Sequence, residues 1–125
     1  MNDTQKKEAF MIARANSVQH AFRGVWVYLR TTPNAWVHLL SAVVLVALGM
    51  YFSISGVEWA LLILANGAVL AAEAFNSAIE IDMNLTHPER HPMVRDTKDI
   101  AAGAVLITAG TAWIIALLVF VPYFL

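Results

Sequence analysis

Glu73, Asn76 and Glu80 stand at i, i+3 and i+7 in a stretch that is mostly apolar, VEWALLILANGAVLAAEAFNSAIEI over 57–81. That spacing puts all three on one face of a helix. A carboxylate at membrane depth costs roughly 2–3 kcal/mol or more and is kept mainly where it faces a site. Glu73 and Glu80 are two turns apart, about 10 Å along the axis. Asn66 extends the polar stripe in one direction, and Ser77 and Asn84 extend it in the other.

Two carboxylates at different depths suit phosphoryl transfer to an alcohol. Such a transfer needs a base for the hydroxyl proton, a metal to offset phosphate charge and a cation for the nucleotide. Glu73, the deeper of the two, suits the base, because a carboxylate withdrawn from water holds a proton more readily. Glu80, nearer water, suits Mg²⁺, which binds one or two carboxylates together with phosphate oxygens. Lys98 and Asp99 begin the next apolar run at the same layer. Lys98 is a phosphate ligand by charge, and Asp99 accepts hydrogen bonds from Lys98 or from a sugar.

These residues need helices to carry them. Three apolar runs stand out, about 37–54, 57–81 and 100–125. Each approaches or exceeds the roughly 17–20 residues that span a bilayer. Backbone groups in lipid must be satisfied within the segment, so each is predicted as a helix. Ser53-Ile54-Ser55-Gly56 makes a turn, and Thr86–Arg95 a loop in which Pro88 and Pro92 are expected to block helix continuation. Upstream, Met11, Ala15, Val18, Phe22, Val25 and Leu29 follow helical spacing, with Lys7, Arg14, Gln19, Arg23 and Arg30 between them. The pattern predicts an amphipathic surface helix over about 4–32, ended by Thr31-Thr32-Pro33. Packing of that helix across the bundle is compatible with the same pattern.

Composition agrees with a membrane protein. Hydrophobic residues make up 59% of the 125 residues and charged residues 14%, against an apolar share of about 45–50% in soluble domains. The length suits one domain. With no cysteine, disulfides and thiolate metal sites are excluded. A net charge of −1 gives no case for nucleic acid. The first 30 residues are polar and charged, so no cleavable leader is expected. All eight Lys and Arg fall before the first run or in the second loop. With three spans these lie on one side, which the positive-inside rule makes cytoplasmic. Glu73, Asn76 and Glu80 then occupy the cytoplasmic half of the second span.

Residue spacing leaves a second reading open. Buried Glu and Asn also serve as helix glue in a non-enzymatic scaffold or channel-forming oligomer. His87 and His91 resemble a metal pair, but loop histidines are more often solvated. Trp36, Trp59 and Tyr123 read as interface anchors. Gly103 and Gly110, beside Ala102 and Ala109, read as close helix contacts.

E-A-F-N-S-A-I-E (Glu73–Glu80), H-P-E-R-H-P (His87–Pro92) and T-K-D-I-A-A-G-A-V-L-I (Thr97–Ile107) together resemble the prokaryotic diacylglycerol kinase family, which includes the Gram-positive undecaprenol kinases. The likeness is specific over Ala71–Ile107 and looser through A-F-R-G-V (Ala21–Val25) and P-N-A-W-V-H-L (Pro33–Leu39). The wording of the later motifs is nearer the undecaprenol kinases. The resemblance implies a homotrimer of three-span protomers with an N-terminal surface helix in the bacterial plasma membrane, N-terminus cytoplasmic. It implies Mg·ATP-dependent phosphorylation of a lipid alcohol, undecaprenol before diacylglycerol, at a site shared between subunits. It assigns catalysis to Glu73 and Asn76, a metal to Glu80, and nucleotide contacts to Glu89, His91, Lys98 and Asp99. Two departures from the family pattern stand out. Thr32 occupies the place of a second metal-binding Glu, and Asn84 that of an Asp; Asp82, at i+2 from Glu80, points to another face.

Overall fold

A computed structural model describes residues 2–125, which form four helices: α1 (Asp3–Thr31), α2 (Pro33–Phe52), α3 (Gly56–Thr86) and α4 (Pro92–Phe124). The chain divides into two compact units after Thr32.

The first unit is α1. It opens with a capping box, in which Asn2 Oδ1 accepts from the Gln5 backbone N–H at 2.8 Å and Gln5 Oε1 accepts from the Asn2 N–H at 3.0 Å. It stops at Thr32, whose extended backbone (φ −110°, ψ 105°) is what the following proline requires. Met11, Val18, Phe22 and Val25 are exposed, but so are Ile12, Trp26 and Val27, which fall outside that stripe by helical spacing.

The second unit is a hairpin of α2 and α3 joined to α4. The turn after α2 is a Schellman motif. Ser53 takes the left-handed conformation (φ 52°), its N–H donates to Met50 O, and the Ile54 N–H donates to Gly49 O. Gly49 is required here, because a Cβ would lie 2.6 Å from the Trp59 ring. The next helix starts with a second capping box between Ser55 and Glu58. Ile54, Leu62, Val119 and Phe120 form the buried core at this end, flanked by Phe52, Trp59 and Ile115. Phe52 also meets the rings of Tyr51, Tyr123 and Phe124.

Three helices, α2, α3 and α4, are long and apolar enough to cross a membrane. Large apolar side chains such as Leu64, Leu106 and Leu118 are more than two-thirds exposed on them. Hydrocarbon tolerates such a surface and water does not. The chain is an all-helical, multi-pass membrane protein.

The helices do not coincide with the apolar runs. Helix α2 starts at Pro33 and ends at Phe52, leaving Ser53 and Ile54 in the turn. The 31 residues of α3 and 33 of α4 reach about 46 and 50 Å, well beyond a hydrocarbon layer of about 30 Å. Hydropathy reports the lipid-facing part of a helix; backbone hydrogen bonding continues past it. Pro92 was expected to interrupt the chain but is the first residue of α4, where its missing N–H costs nothing. His91 caps that helix, its Nδ1 accepting from the Met93 N–H at 3.1 Å. The polar ends of α3 and α4 thus stand clear of the apolar layer, joined by residues 87–91.

Candidate active site

Glu73 is the one charged residue that is buried among the described residues, at 5% exposure. Burying a carboxylate without a partner is costly. Its partner is His38 on α2, with Nε2 3.1 Å from Glu73 Oε1. His38 is half-buried, with 24% of its side chain exposed. The bond joins two helices, so the α2–α3 hairpin sets the carboxylate's place.

Asn76 follows one turn later on the same face. Its Oδ1 is buried and accepts no hydrogen bond among the described residues. Such an atom is rare, because buried acceptors are nearly always paired. Asn66, by contrast, is satisfied within α3, its Nδ2 donating to Leu62 O at 2.9 Å. It drops out of the stripe as a reactive group.

Glu80 is exposed and makes no hydrogen bond or ion pair among the described residues. The resemblance implies a divalent cation. No three His, Asp or Glu side chains gather into a metal-binding group among the described residues. A lone, free carboxylate fits Mg²⁺, which keeps several waters and takes phosphate oxygens for most of its shell.

Past Glu80 the ends of α3 and α4 border an open cleft of about 780 Å³. Glu89, His91, Lys98 and Asp99 all line it, together with Asn84 and Arg95. The four residues expected to contact nucleotide are thus brought together. Glu73, Asn76 and Glu80 are outside this lining, deeper along α3. Lys98 Nζ donates to Asn84 Oδ1 at 2.6 Å. A neutral acceptor orients the ammonium and leaves its charge uncompensated. Asp99 lies 3.5 Å from the Arg95 Nε one turn earlier, an exposed pair of little energetic weight. His87 Nδ1 sits 2.9 Å from Thr86 Oγ1 while His91 caps α4. The two histidines are engaged separately, not as a pair.

Residues 19–120 match the prokaryotic diacylglycerol kinase family. The chain belongs to that family. It is 37% identical over 106 residues to the undecaprenol kinase of Bacillus subtilis, covering 85% of this chain and 86% of that protein. It is 30% identical over 100 residues to a diacylglycerol kinase of Synechocystis, covering 79% of this chain and 57% of that protein. A diacylglycerol kinase of Helicobacter pylori is 28% identical over 101 residues, covering 75% of this chain and 79% of that protein. No solved structure matches. The family is one of lipid kinases, so the chain is an enzyme and the scaffold reading falls.

His38 is the residue that sequence reasoning missed. It lies inside the quoted P-N-A-W-V-H-L stretch but carries no motif of its own. The hairpin held the signal. His38 is sixteen residues before Ile54 and Glu73 nineteen after it. At about 1.5 Å per residue, a chain reversed there brings both to nearly one depth.

Proposed function

We propose that the protein transfers the γ-phosphoryl group of ATP to the hydroxyl of a lipid alcohol at the cytoplasmic membrane interface, with undecaprenol preferred over diacylglycerol. The observation that carries this reading is Glu73, a carboxylate buried in a membrane-crossing helix with Oε1 engaged and Oε2 without a hydrogen bond among the described residues. The lipid hydroxyl gives its proton to Glu73, and its oxygen forms a bond to the γ-phosphorus. The bond from that phosphorus to the β,γ-bridging oxygen breaks, and ADP leaves with the electron pair. Asn76 Oδ1 lies one turn away, ready to accept a hydrogen bond from a substrate donor. Lys98, oriented by Asn84, holds phosphate, with Glu89, His91 and Asp99 along the same cleft. Glu80 would hold Mg²⁺, which supplies charge neutralisation of the phosphates.

The basic residues before α2 and between α3 and α4 support a cytoplasmic N-terminus and a site open to cytoplasmic ATP. In this arrangement α1 lies at the membrane surface, and three copies of the chain form a homotrimer that shares its sites. The undecaprenol preference rests on the higher identity to the kinase of that name. Diacylglycerol is the second reading, favoured by the names of two further relatives.

Labelled ATP, membranes of the purified protein and each lipid in turn test the proposal. The expected product is mainly labelled undecaprenyl phosphate, lost in Glu73→Gln. Faster labelling of diacylglycerol would reverse the acceptor order. Labelling of neither lipid would remove the reaction.

A further inference from the structure

We propose that His38 is a positioning residue for Glu73, aiming the carboxylate so that one oxygen is reserved for the acceptor hydroxyl. The inference rests on the reading of Glu73 as the base. An ionised carboxylate has no proton to give and can only accept hydrogen bonds. A Glu73 ready to take a proton therefore requires the hydrogen of the 3.1 Å contact to sit on His38 Nε2. The donated bond fixes the carboxyl group's rotation, since Oε1 is tied to α2 and Oε2 has no hydrogen bond among the described residues.

The two residues have complementary positions. Glu73 is nearly closed to solvent, while His38 is partly open. Ala35, one turn before His38 on the same face of α2, is fully buried. The ring thus comes from a helix, not from a loop. A base oriented by a third group is the arrangement that nucleophile and acid–base sites use in general. Here the usual parts are exchanged: the carboxylate is the base and the imidazole orients it.

The test measures kcat and the KM for ATP in wild type, His38→Leu, His38→Gln and Glu73→Gln, each reconstituted in membranes with the lipid acceptor. His38→Leu is expected to lower kcat about 10- to 100-fold with the KM for ATP within about twofold, the signature of a lost transition-state interaction. His38→Gln, whose amide still donates, is expected to recover most of that loss. A leucine variant with full kcat beside an inactive Glu73→Gln would overturn the role of His38 and leave the base reading intact. A raised KM with unchanged kcat would also overturn it, since His38 would then act on nucleotide binding. Full turnover by Glu73→Gln would remove the base reading and this inference together. If the leucine variant fails to fold, ¹⁵N NMR of the imidazole decides: the His38 Nε2 resonance should move between wild type and Glu73→Gln. An unmoved resonance would rule out the pairing.

Discussion

The two halves of α3 carry glutamates in opposite circumstances. Glu58, in the first turn, is held by its own chain through one carboxylate oxygen. Its Oε2 accepts from the Ser55 backbone N–H at 2.7 Å and from the Tyr123 hydroxyl at 3.0 Å, while its N–H is capped by Ser55 Oγ. Aromatic rings and the Schellman turn close that end. From mid-helix onward Glu73 has one bond, Glu80 none, and Asn76 an acceptor without a donor among the described residues. A polar group whose bonds all go to its own chain serves the fold. A buried one left with spare capacity, as at Asn76, costs about 1–3 kcal/mol when empty, which is why the proposed function places a substrate group there.

The contrast is most sharply tested by the same substitution in both halves. Glu73→Gln is expected to lower kcat by roughly 10²–10⁴, the usual contribution of a positioned base. Glu58→Gln should leave kcat unchanged and lower only thermal stability. Comparable loss of turnover from both, measured as labelled phosphate transferred per trimer or monomer of folded enzyme, would erase the distinction. Glu80→Ala should cost at least about 10-fold in apparent metal affinity, the loss that even a group supporting a ligand gives, read from a Mg²⁺ titration of the rate. An unchanged titration curve would free Glu80 from the metal. At the closed end, Gly49→Ala should destabilise by about 1–3 kcal/mol, because the added methyl overlaps the Trp59 ring. Thermal unfolding in detergent checks this, with kcat of the surviving protein unaltered. The smallest effect is expected at the turn. Ser53 holds a left-handed conformation that costs a non-glycine residue about 1–2 kcal/mol, so Ser53→Gly should raise the unfolding midpoint slightly.

Much of this was legible before any coordinates. The i, i+3, i+7 polar face and the flanking loop motifs pointed to a lipid kinase family, and the family match agrees. The cleft gathers Glu89, His91, Lys98 and Asp99, which lie close together in sequence on the loop and the first turns of α4. Helix ends were read less well. Pro92 looked like a breaker because a proline ends one helix and starts another with equal ease, and only the capping by His91 says which. Asn66 looked like part of the reactive stripe, since periodicity gives a residue's face but not its hydrogen-bond partner.

Local physics sufficed for three membrane-crossing helices, because lipid forces an apolar segment of that length to satisfy its backbone within itself. The chemical type of each candidate side chain was equally plain from the residues alone. The pairings His38–Glu73, Asn84–Lys98 and Tyr123–Glu58, and the fit of Trp59 over Gly49, were decided only by tertiary structure. Each depends on the rotation and register of one helix against another. An apolar helix surrounded by lipid carries little hydropathy contrast to record that rotation, so packing at close range had to choose it.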